Sequence, residues 1–388
     1  MNMWWTAFVW VVLALLASVV SVRLAVSVAL IEILFGVIGG NLLHLQPNEW
    51  INFLAGLGGI LLTFLAGAEI EPQTLRLYAK SALSIALASF LPSLLGTLAL
   101  VRWGVGWDLH AGITAAIAMS PTSIAVVYTV MVETGLNRTP LGKRIIVACF
   151  LANLLAMLAL GILTARGTWW LVVFLVAIIA TFLAVPHLAR AFFQRTGEHL
   201  SEPQIKLVAG MLLLLSALAV QAKSEPVLGA YLLGLALSGV LVSVPGLLHR
   251  IRTLSFTMFT PFYFLKAGTY VSLPVVWRAS GWITLLLTCR MLTKMVVLYP
   301  VCRLQGICHR ESMYTTLLMA TGLTFDIIVS LFGLSQGFIN HQQYTMLVAV
   351  IIASAIVPTV VAQTFFRPAM PSEPRATLHQ PLVKQSSS

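Results

Sequence analysis

Two stretches of the sequence decide the fold: residues 109–132, LHAGITAAIAMSPTSIAVVYTVMV, and residues 312–335, SMYTTLLMATGLTFDIIVSLFGLS. Each stretch is apolar and exceeds the roughly 20 residues that a helix needs to cross a bilayer. Each is also interrupted near its middle, by SPTS at residues 120–123 and by TGLT at residues 321–324. A proline in a helix removes an amide donor and frees a carbonyl oxygen upstream. The two stretches therefore predict transmembrane helices that are broken at mid-membrane.

The composition of the whole chain is that of a polytopic membrane protein. Of its 388 residues, 59% are hydrophobic and 9% are charged, whereas an average soluble domain has roughly 25% charged residues. This composition excludes soluble enzymes, nucleic-acid-binding modules and disordered scaffolds. Thirteen spans are predicted, at residues 4–20, 24–44, 50–68, 80–101, 109–132, 144–165, 169–187, 205–221, 226–244, 255–276, 280–302, 312–335 and 344–366. The polar tail at 367–388 is expected to be disordered.

The sequence shows no pattern of a cofactor site or of catalysis. Its four cysteines have neither metal-ligand nor CxxC spacing, so a zinc site or a disulfide framework is not expected. No nucleophile and base form a recognisable constellation, and the histidines fall mostly in predicted loops. We therefore expect no enzymatic activity and no cofactor.

The two broken spans occupy corresponding positions in two halves of the chain. Taken alone, either one is typical of a simple kink, which is common in membrane helices. They lie seven spans apart, however, and an odd separation makes them cross the membrane in opposite directions. Interrupted helices at corresponding positions of two halves are typical of the ion site of a secondary transporter. The pattern predicts inverted repeats, with the spans within residues 80–165 and 280–366 forming one unit of crossed helices.

The basic residues favour one orientation in the membrane. With the amino terminus outside, sixteen of the 23 lysines and arginines fall in inner loops or the tail and four in outer loops. The other three, Lys266, Arg290 and Lys294, lie inside spans. This positive-inside bias predicts a cytoplasmic carboxyl terminus. The net charge of +11 is then explained by topology and lipid headgroups, so no nucleic-acid partner is needed.

Ionisable residues inside the spans are candidates for function because a charge within a membrane is costly. Asp326 is the only aspartate within a predicted span, and it is the main candidate for an ionisable transport residue. Arg290 and Lys294 are four residues apart and share one helix face, where like charges repel. One of the two is expected to pair with a carboxylate or a carbonyl, and the other to face water. Arg290 either faces the bundle or reaches the membrane surface.

Four further charges have both a functional and a structural interpretation. Glu32 lies in the middle of a span and either titrates or pairs with a basic residue across the bundle. Glu69 and Glu71 end the third span and are expected at the cytoplasmic interface. Lys266 is too deep to reach the headgroups easily. Glu32 and Glu69 are both suitable partners for it, and the sequence does not choose between them.

A series of short motifs follows in a fixed order along the chain. LLTFLAGAEIEP at residues 61–72 is the most specific of them, and IEILFGVIGG lies before it at 31–40. LNRTPLG at 136–142 and PFYF at 261–264, followed by Gly268, come later. Their order and spacing resemble the monovalent cation:proton antiporter superfamily, in its bacterial sodium or potassium/proton exchanger branch, over about residues 10–366. In that resemblance SPTS falls on an unwound crossing helix, and Arg290 matches a basic residue of a core helix.

The sequence departs from this family at one motif. Where the family has Asp-Asp or Asn-Asp, this chain has Ala152-Asn153. The second aspartate of the motif binds the cation and the proton in the family. An amide such as that of Asn153 offers an oxygen to a cation but does not exchange a proton. The substitution also leaves Arg290 without the partner of its counterpart in some relatives, and Asp326 is a plausible replacement.

Three interpretations of this departure remain open. In the first interpretation, Asp326 has taken over the exchange of the proton, because it lies on the partner crossing helix. Alternatively, the chain carries another solute, with Asn153, Thr122 and Thr324 as neutral hydrogen-bonding groups. The third interpretation is a homologue whose exchange activity is lost.

The resemblance implies an all-α protein of about 13 transmembrane helices with inverted repeats and two crossed discontinuous helices, the sodium/proton antiporter fold. It implies exchange of Na⁺ or K⁺ for H⁺ by elevator-type alternating access in a homodimer. The expected units are interface-domain helices at 1–76 and 201–278, core-domain helices at 77–166 and 279–366, and a linker helix at 167–200. The expected ion-binding residues are Asp326, Asn153, Thr122, Pro121, Thr324 and Arg290, with Asp326 and Asn153 as ligands of the metal ion. Glu32, Glu69, Lys266 and Lys294 are expected structural or coupling charges.

Other classes of protein stay open at this point. One is a transporter of a small organic or anionic solute, in which half-helix amino termini and Arg290 would bind the anion. Another is a membrane sensor or accessory subunit that binds an ion without moving it. A channel is a less favoured reading, because no repeated carbonyl motif resembling a selectivity filter is present.

Overall fold

The computed structural model describes residues 2–24, 26–164, 169–196, 201–222 and 224–368, and every regular element within these ranges is helical. In chain order the α-helices are α1 (Met3–Leu24), α2 (Val28–Leu42), α3 (Glu49–Ala68), α4 (Pro72–Ala99), α5 (Leu109–Ala118), α6 (Ile124–Glu133), α7 (Pro140–Thr164), α8 (Trp169–Thr196), α9 (Pro203–Gln221), α10 (Pro226–Ser243), α11 (Leu247–Met258), α12 (Thr260–Thr269), α13 (Leu273–Arg278), α14 (Ser280–Leu304), α15 (His309–Met319), α16 (Thr324–Ser335) and α17 (His341–Phe365). A π-helical segment, Leu100–Val105, extends α4, and a single 3₁₀ turn, Leu136–Arg138, precedes α7.

The helices coincide with the predicted spans, and the all-α fold class is confirmed. Within the described ranges, ten helical stretches are long and apolar enough to cross a membrane. The other three predicted spans correspond to the short helix α2, to the pair α5 and α6, and to α12 with the adjoining ends of α11 and α13. Of the predicted disordered tail at 367–388, residues 369–388 lie outside the described part of the chain.

Both predicted interruptions are present as breaks between half-helices. α5 ends at Ala118 and α6 begins at Ile124, where the Ser123 hydroxyl accepts a hydrogen bond from the amide of Val126 at 3.3 Å. Pro121 lies between the two half-helices and has no amide hydrogen to continue the first one. α15 ends at Met319, and α16 begins five residues later. Each break leaves unpaired carbonyl oxygens at the end of one half-helix and unpaired amides at the start of the next.

The helices pack in two sets. α2 lies against α12 and α3 against α10, while α4 packs on α7 and α14, α5 packs on α16, and α17 packs on α14 and α16. Both pairs of the first set approach closely: a methyl group on Gly36 or Gly268 would overlap the backbone across α2 and α12, and one on Gly67 or Gly234 would do so across α3 and α10. Small residues allow such contact between membrane helices. The second set holds the two breaks.

Candidate functional site

The two broken spans cross at their breaks, and their backbones are joined by hydrogen bonds. The amide of Ser123 donates to the carbonyl oxygen of Thr321 at 3.1 Å. The hydroxyl of Thr122 donates to the carbonyl oxygen of Met319 at 2.8 Å. All four residues are buried. The crossing therefore brings residues that are about 200 positions apart in the sequence into one polar cluster inside the bundle.

Arg290 on α14 reaches both breaks and is fully buried, with 0% of its surface exposed. Its guanidinium donates to the Asp326 carboxylate at 2.5 Å. It also donates to the carbonyl oxygens of Pro121 at 2.9 Å, Ala320 at 3.0 Å and Thr321 at 3.2 Å. Charge-assisted bonds of this kind are stronger than neutral ones. The structure thus forms the Arg290–Asp326 pair and uses the same guanidinium to satisfy carbonyls that the breaks leave free.

Lys294 is also fully buried, one turn further along α14. Its Nζ atom donates to the carbonyl oxygens of Met319 at 2.8 Å, Ser120 at 3.0 Å and Pro121 at 3.2 Å. The oxygens of Ser120 and Pro121 lie just beyond Ala118, the carboxyl-terminal end of α5. The oxygen of Met319 lies at the carboxyl-terminal end of α15. Such ends carry partial negative charge.

The expectation that one of the two cations faces water is therefore wrong. Arg290 and Lys294 are both buried, although they share a helix face and repel each other. The reason is that the breaks supply enough carbonyl oxygen for both cations. Sequence periodicity shows that the two residues share a face, but not how many free carbonyls that face will meet.

Two polar atoms in the crossing have no hydrogen-bond partner among the described residues: Oδ1 of Asp326 and Nδ2 of Asn153. The Oδ1 atom of Asn153 accepts a hydrogen bond from the amide of Thr122 at 3.2 Å. Buried polar groups are normally hydrogen-bonded, so these exceptions mark the crossing as a place where a further group can bind. With its side chains ionised, the cluster holds two cations and one carboxylate, an excess of one positive charge.

Gly322 has a role that the sequence reasoning missed. A methyl group at this position would overlap both the Asp326 carboxylate and the Arg290 guanidinium. The salt bridge therefore needs a residue without a side chain in the second break. The TGLT stretch contains this glycine, but the sequence alone indicates only an interrupted helix there.

Comparison with known proteins identifies the family. The chain matches the family model described as "Sodium/hydrogen exchanger, transmembrane" over residues 11–367. The chain belongs to the sodium/hydrogen exchanger family. It is 26% identical over 352 residues to "Probable Na(+)/H(+) antiporter 3" of Methanocaldococcus jannaschii, covering 87% of this chain and 89% of that protein. It is 24% identical over 365 residues to the "Na(+)/H(+) antiporter" of Enterococcus hirae, covering 90% and 94%.

A solved structure shows the same fold. The sodium proton antiporter MjNhaP1 from Methanocaldococcus jannaschii at pH 8 superimposes with a TM-score of 0.69 and 15% identity, covering 91% of this chain and 95% of that one. The predicted superfamily and the antiporter fold are thereby confirmed. This sodium/hydrogen exchanger family member is a multi-pass membrane protein. The roles of its site residues stay predictions.

The remaining predicted site residues differ in the contacts that they make. Thr324 is the first residue of α16, and its side chain makes no hydrogen bond within the described ranges. Glu32 is buried on α2 and makes no ion pair within the described ranges, so of its two interpretations the pairing with a basic residue is not found there. Glu69 pairs with Arg252 at 2.7 Å. Burial raises the pKa of the Glu69 carboxyl, which lies beyond the end of α3, and Arg252 opposes that rise.

Lys266 on α12 pairs with neither of the carboxylates that the sequence suggested. Glu69 is held by Arg252, and Glu32 has no partner in the described part of the chain. Lys266 instead lines a cavity of about 670 Å³ between α3, α12 and α16. Glu225 and Tyr263 line the same cavity, and sequence reasoning missed both. Glu225 lies outside the motifs quoted above, and the PFYF motif that contains Tyr263 does not by itself indicate a cavity. Only the packing of distant helices brings the two residues together.

Two buried tyrosines connect the two sets of helices. The Tyr231 hydroxyl on α10 donates to the carbonyl oxygen of Phe150 on α7 at 2.9 Å. The ring of Tyr231 also packs edge-on against Phe325, next to Asp326, with centroids 5.7 Å apart. On the other side, the Tyr344 hydroxyl on α17 donates to the carbonyl oxygen of Ala267 on α12 at 2.8 Å. Relative movement of the two sets would break these bonds.

Proposed function

We propose that this chain is a secondary transporter that exchanges a monovalent cation, Na⁺ or K⁺, for H⁺ across a bacterial cytoplasmic membrane. The observation that carries the proposal is the set of three carbonyl oxygens around Lys294 Nζ, at 2.8 to 3.2 Å. Backbone carbonyl oxygens of this kind replace the hydration shell of alkali cations in ion-conducting proteins. The family membership and the names of the relatives support the same activity.

In this mechanism Lys294 is the group that exchanges the proton. Its ammonium form fills the carbonyl site, so a metal cation is excluded. When the amine has released its proton to water on the open side, the same oxygens and Oδ1 of Asp326 are free to bind a cation. The exchange of one proton for one monovalent cation leaves the net charge of the site unchanged. Asp326 then acts as a cation ligand rather than as the proton carrier, because its carboxylate is paired with the permanently charged guanidinium of Arg290.

Asn153 takes a positioning role in this scheme. Its side-chain oxygen holds the amide of Thr122 at 3.2 Å and so fixes the first break. The hydroxyl of Thr122 in turn binds the second break at Met319. A carboxylate at position 153 is then dispensable for proton exchange, because an amine supplies the titratable group. This accounts for the departure from the family motif at Ala152-Asn153.

Transport would proceed by elevator-type alternating access. The core helices at 77–166 and 279–366 would move, together with the crossing, against interface helices at 1–76 and 201–278, with residues 167–200 as the link. We place the amino terminus outside and the carboxyl terminus in the cytoplasm, from the distribution of basic residues. A homodimer through the interface helices completes the proposal. α1 and α8, the least buried of the long helices, offer the surface for lipid or a second copy.

A second candidate function is transport of a small organic anion. The excess positive charge of Arg290 and Lys294 over Asp326 favours it. The amino-terminal ends of α6 and α16 also carry partial positive charge. In this case the anion would bind beside Arg290, and no proton exchange on Lys294 would be required.

Reconstitution in proteoliposomes with a pH-sensitive dye inside tests the exchange. Addition of Na⁺ or K⁺ to the outside of acid-loaded vesicles should raise the internal pH. Lys294→Met should abolish this signal, because it removes the exchanging amine. The control is Thr288→Val on the exposed side of the same helix, whose hydroxyl bonds only to the backbone of its own turn. Absence of a response to any alkali cation, combined with Arg290-dependent uptake of a labelled organic anion, would favour the second candidate.

A further inference from the structure

The cavity between α3, α12 and α16 has the size and chemistry of a ligand site. Its volume of about 670 Å³ lies within the roughly 300–1,000 Å³ of pockets that hold small organic ligands. One wall is apolar and comes from α16, with Ile328, Leu331 and Phe332. Ile328 lies two residues beyond Asp326, so this wall reaches the neighbourhood of the crossing.

The opposite wall carries polar groups that the protein leaves unsatisfied. The hydroxyl of Tyr263 is buried without a hydrogen-bond partner among the described residues, although only 5% of the residue is exposed. Within the same ranges, Glu225 makes no hydrogen bond or ion pair, and neither does the ammonium of Lys266. A buried hydroxyl without a partner costs about 1–3 kcal/mol. The Tyr263 hydroxyl therefore depends on what fills the cavity, whereas Glu225 and Lys266 are only partly buried, so water can solvate them until a ligand binds.

The two opposite charges in this cavity do not pair with each other. Glu225 precedes α10, and Lys266 lies on α12. A bare alkali cation at Glu225 would be repelled by Lys266, and a simple anion at Lys266 would be repelled by Glu225. A molecule that carries both charges satisfies both residues. The tyrosine rings of Tyr263 and Tyr270, which also line the cavity, are suitable neighbours for an ammonium group.

We propose that this cavity binds a small zwitterionic solute, with its ammonium group against Glu225 and Tyr263 and its carboxylate against Lys266. The ligand contacts α3, α10 and α12 on one side and α16 on the other. It therefore bridges the two sets of helices and stabilises the conformation described above. The site is separate from the carbonyl site around Lys294, and the proposal does not depend on cation exchange.

Ligand binding to the purified full-length chain tests this proposal in the absence of any ion gradient. The probes are glycine betaine, β-alanine and γ-aminobutyrate, which differ in the separation of their charges. Acetate and tetramethylammonium each carry one of the two charges. We expect at least one zwitterion to raise the thermal unfolding temperature saturably, and neither single-charge probe to do so.

Variants of the cavity then locate the site. Glu225→Gln and Lys266→Gln should each weaken zwitterion binding by at least about tenfold, as expected for the loss of one charged hydrogen bond. Tyr263→Phe removes only an unpartnered hydroxyl, so it should fold normally and bind a few-fold more weakly. Glu71→Gln is the matched control, because this exposed carboxylate bonds only to Thr74 outside the cavity.

The pH dependence of binding gives an independent readout. Removal from water raises the pKa of the Glu225 carboxyl to about 8, so its ionised fraction grows as the pH approaches that value. A ligand cation binds the ionised form. The affinity for glycine betaine, whose own cation does not titrate, should therefore rise as the pH increases towards 8 and then level off. The other titratable and polar residues that line the cavity with Glu225 are Ser224, Tyr263, Lys266, Tyr270, Ser335, Gln336 and His341. Glu225→Gln should remove the part of the pH dependence that belongs to the carboxyl.

Several results would overturn the proposal. One is that none of the three zwitterions binds, which would indicate that the cavity holds only water. Another is equal binding of acetate or tetramethylammonium. A third is a thermal shift by Na⁺ that depends on Glu225 while no zwitterion binds, which would make the cavity a cation vestibule. Cation exchange measured in vesicles without any zwitterion reports separately on the function proposed above, so the two proposals can fail independently.

Discussion

The two broken spans that form the crossing contribute to it in different ways. The first repeat supplies neutral groups: the hydroxyl of Thr122, the amide of Asn153 and the carbonyl oxygens of Ser120 and Pro121. The second repeat supplies every charged side chain of the cluster: Arg290, Lys294 and Asp326. The topology is repeated, but the chemistry is not.

This difference shows how the crossing tolerates two unpaired helix ends inside a membrane. The carbonyl oxygen of Pro121 accepts hydrogen bonds from both Arg290 and Lys294. The charges of the second repeat thus satisfy the carbonyls of the first as well as their own. Unsatisfied backbone groups cost several kcal/mol each in the hydrocarbon region. Substitutions that change the distribution of charge between the two repeats should therefore change stability and exchange, and these effects can be ranked by size.

The largest effect is expected from Asp326→Asn, which removes the only anion of the cluster. Arg290 and Lys294 would then be buried without a counter-charge. Loss of one partner from a buried ion pair destabilises a protein by about 3–5 kcal/mol. We expect loss of dye-detected exchange and a lower thermal unfolding temperature in detergent.

A double variant separates the two effects of Asp326→Asn. Arg290→Gln combined with Asp326→Asn removes the pair as a whole, so stability should partly return while exchange stays absent. Full exchange activity in the single variant would show that Asp326 is not a ligand of the transported cation.

The next effect concerns Gly322→Ala in the second break. The added methyl group would overlap the carboxylate of Asp326 and the guanidinium of Arg290. Overpacking of a buried site costs typically about 1–3 kcal/mol. The exchange rate should fall at least tenfold. Gly281→Ala on α14 is the control, because a methyl group there meets no atom within 4 Å; equal rates in both variants would contradict the crowded geometry.

Asn153→Asp gives the first repeat a charge and so reduces the asymmetry. A carboxylate oxygen at position 153 can still accept the hydrogen bond from Thr122 N. The cluster would then hold two anions and two cations before a substrate binds. We expect the Na⁺ concentration for half-maximal exchange to fall several-fold, measured by titrating Na⁺ in the vesicle assay. An unchanged Na⁺ dependence would place residue 153 outside the path of the cation.

The smallest effect is expected from Tyr231→Phe, which leaves both repeats intact. It removes one hydrogen bond between α10 and the Phe150 carbonyl, worth about 1 kcal/mol. The maximal exchange rate should change by about fivefold or less, with little change in the Na⁺ dependence. Tyr299→Phe is the control, because that hydroxyl contacts His309 within the second repeat. A large shift in Na⁺ affinity would indicate that Tyr231 acts on the crossing itself, through Phe325.

The sequence predicts those features of the structure that depend on neighbouring residues, and it does not predict those that depend on tertiary packing. The helices and both breaks were predictable, because apolar length and the residues SPTS and TGLT are local features. The pairing of Arg290 with Asp326 was also accessible, since few charges are available inside the spans. The carbonyl contacts of Lys294 were not, because they depend on how two breaks cross. Glu225, Tyr263 and Lys266 come from two regions that only tertiary packing brings together.

The position of Arg290 has a mechanical consequence. Its guanidinium links the two breaks, because it donates hydrogen bonds to Pro121 in one and to Ala320 and Thr321 in the other. One broken helix cannot slide past the other unless this side chain loses its bonds to at least one of the two breaks. In the proposed elevator movement, a centre fastened in this way would move as one unit with the two broken helices, instead of opening first to one face of the membrane and then to the other.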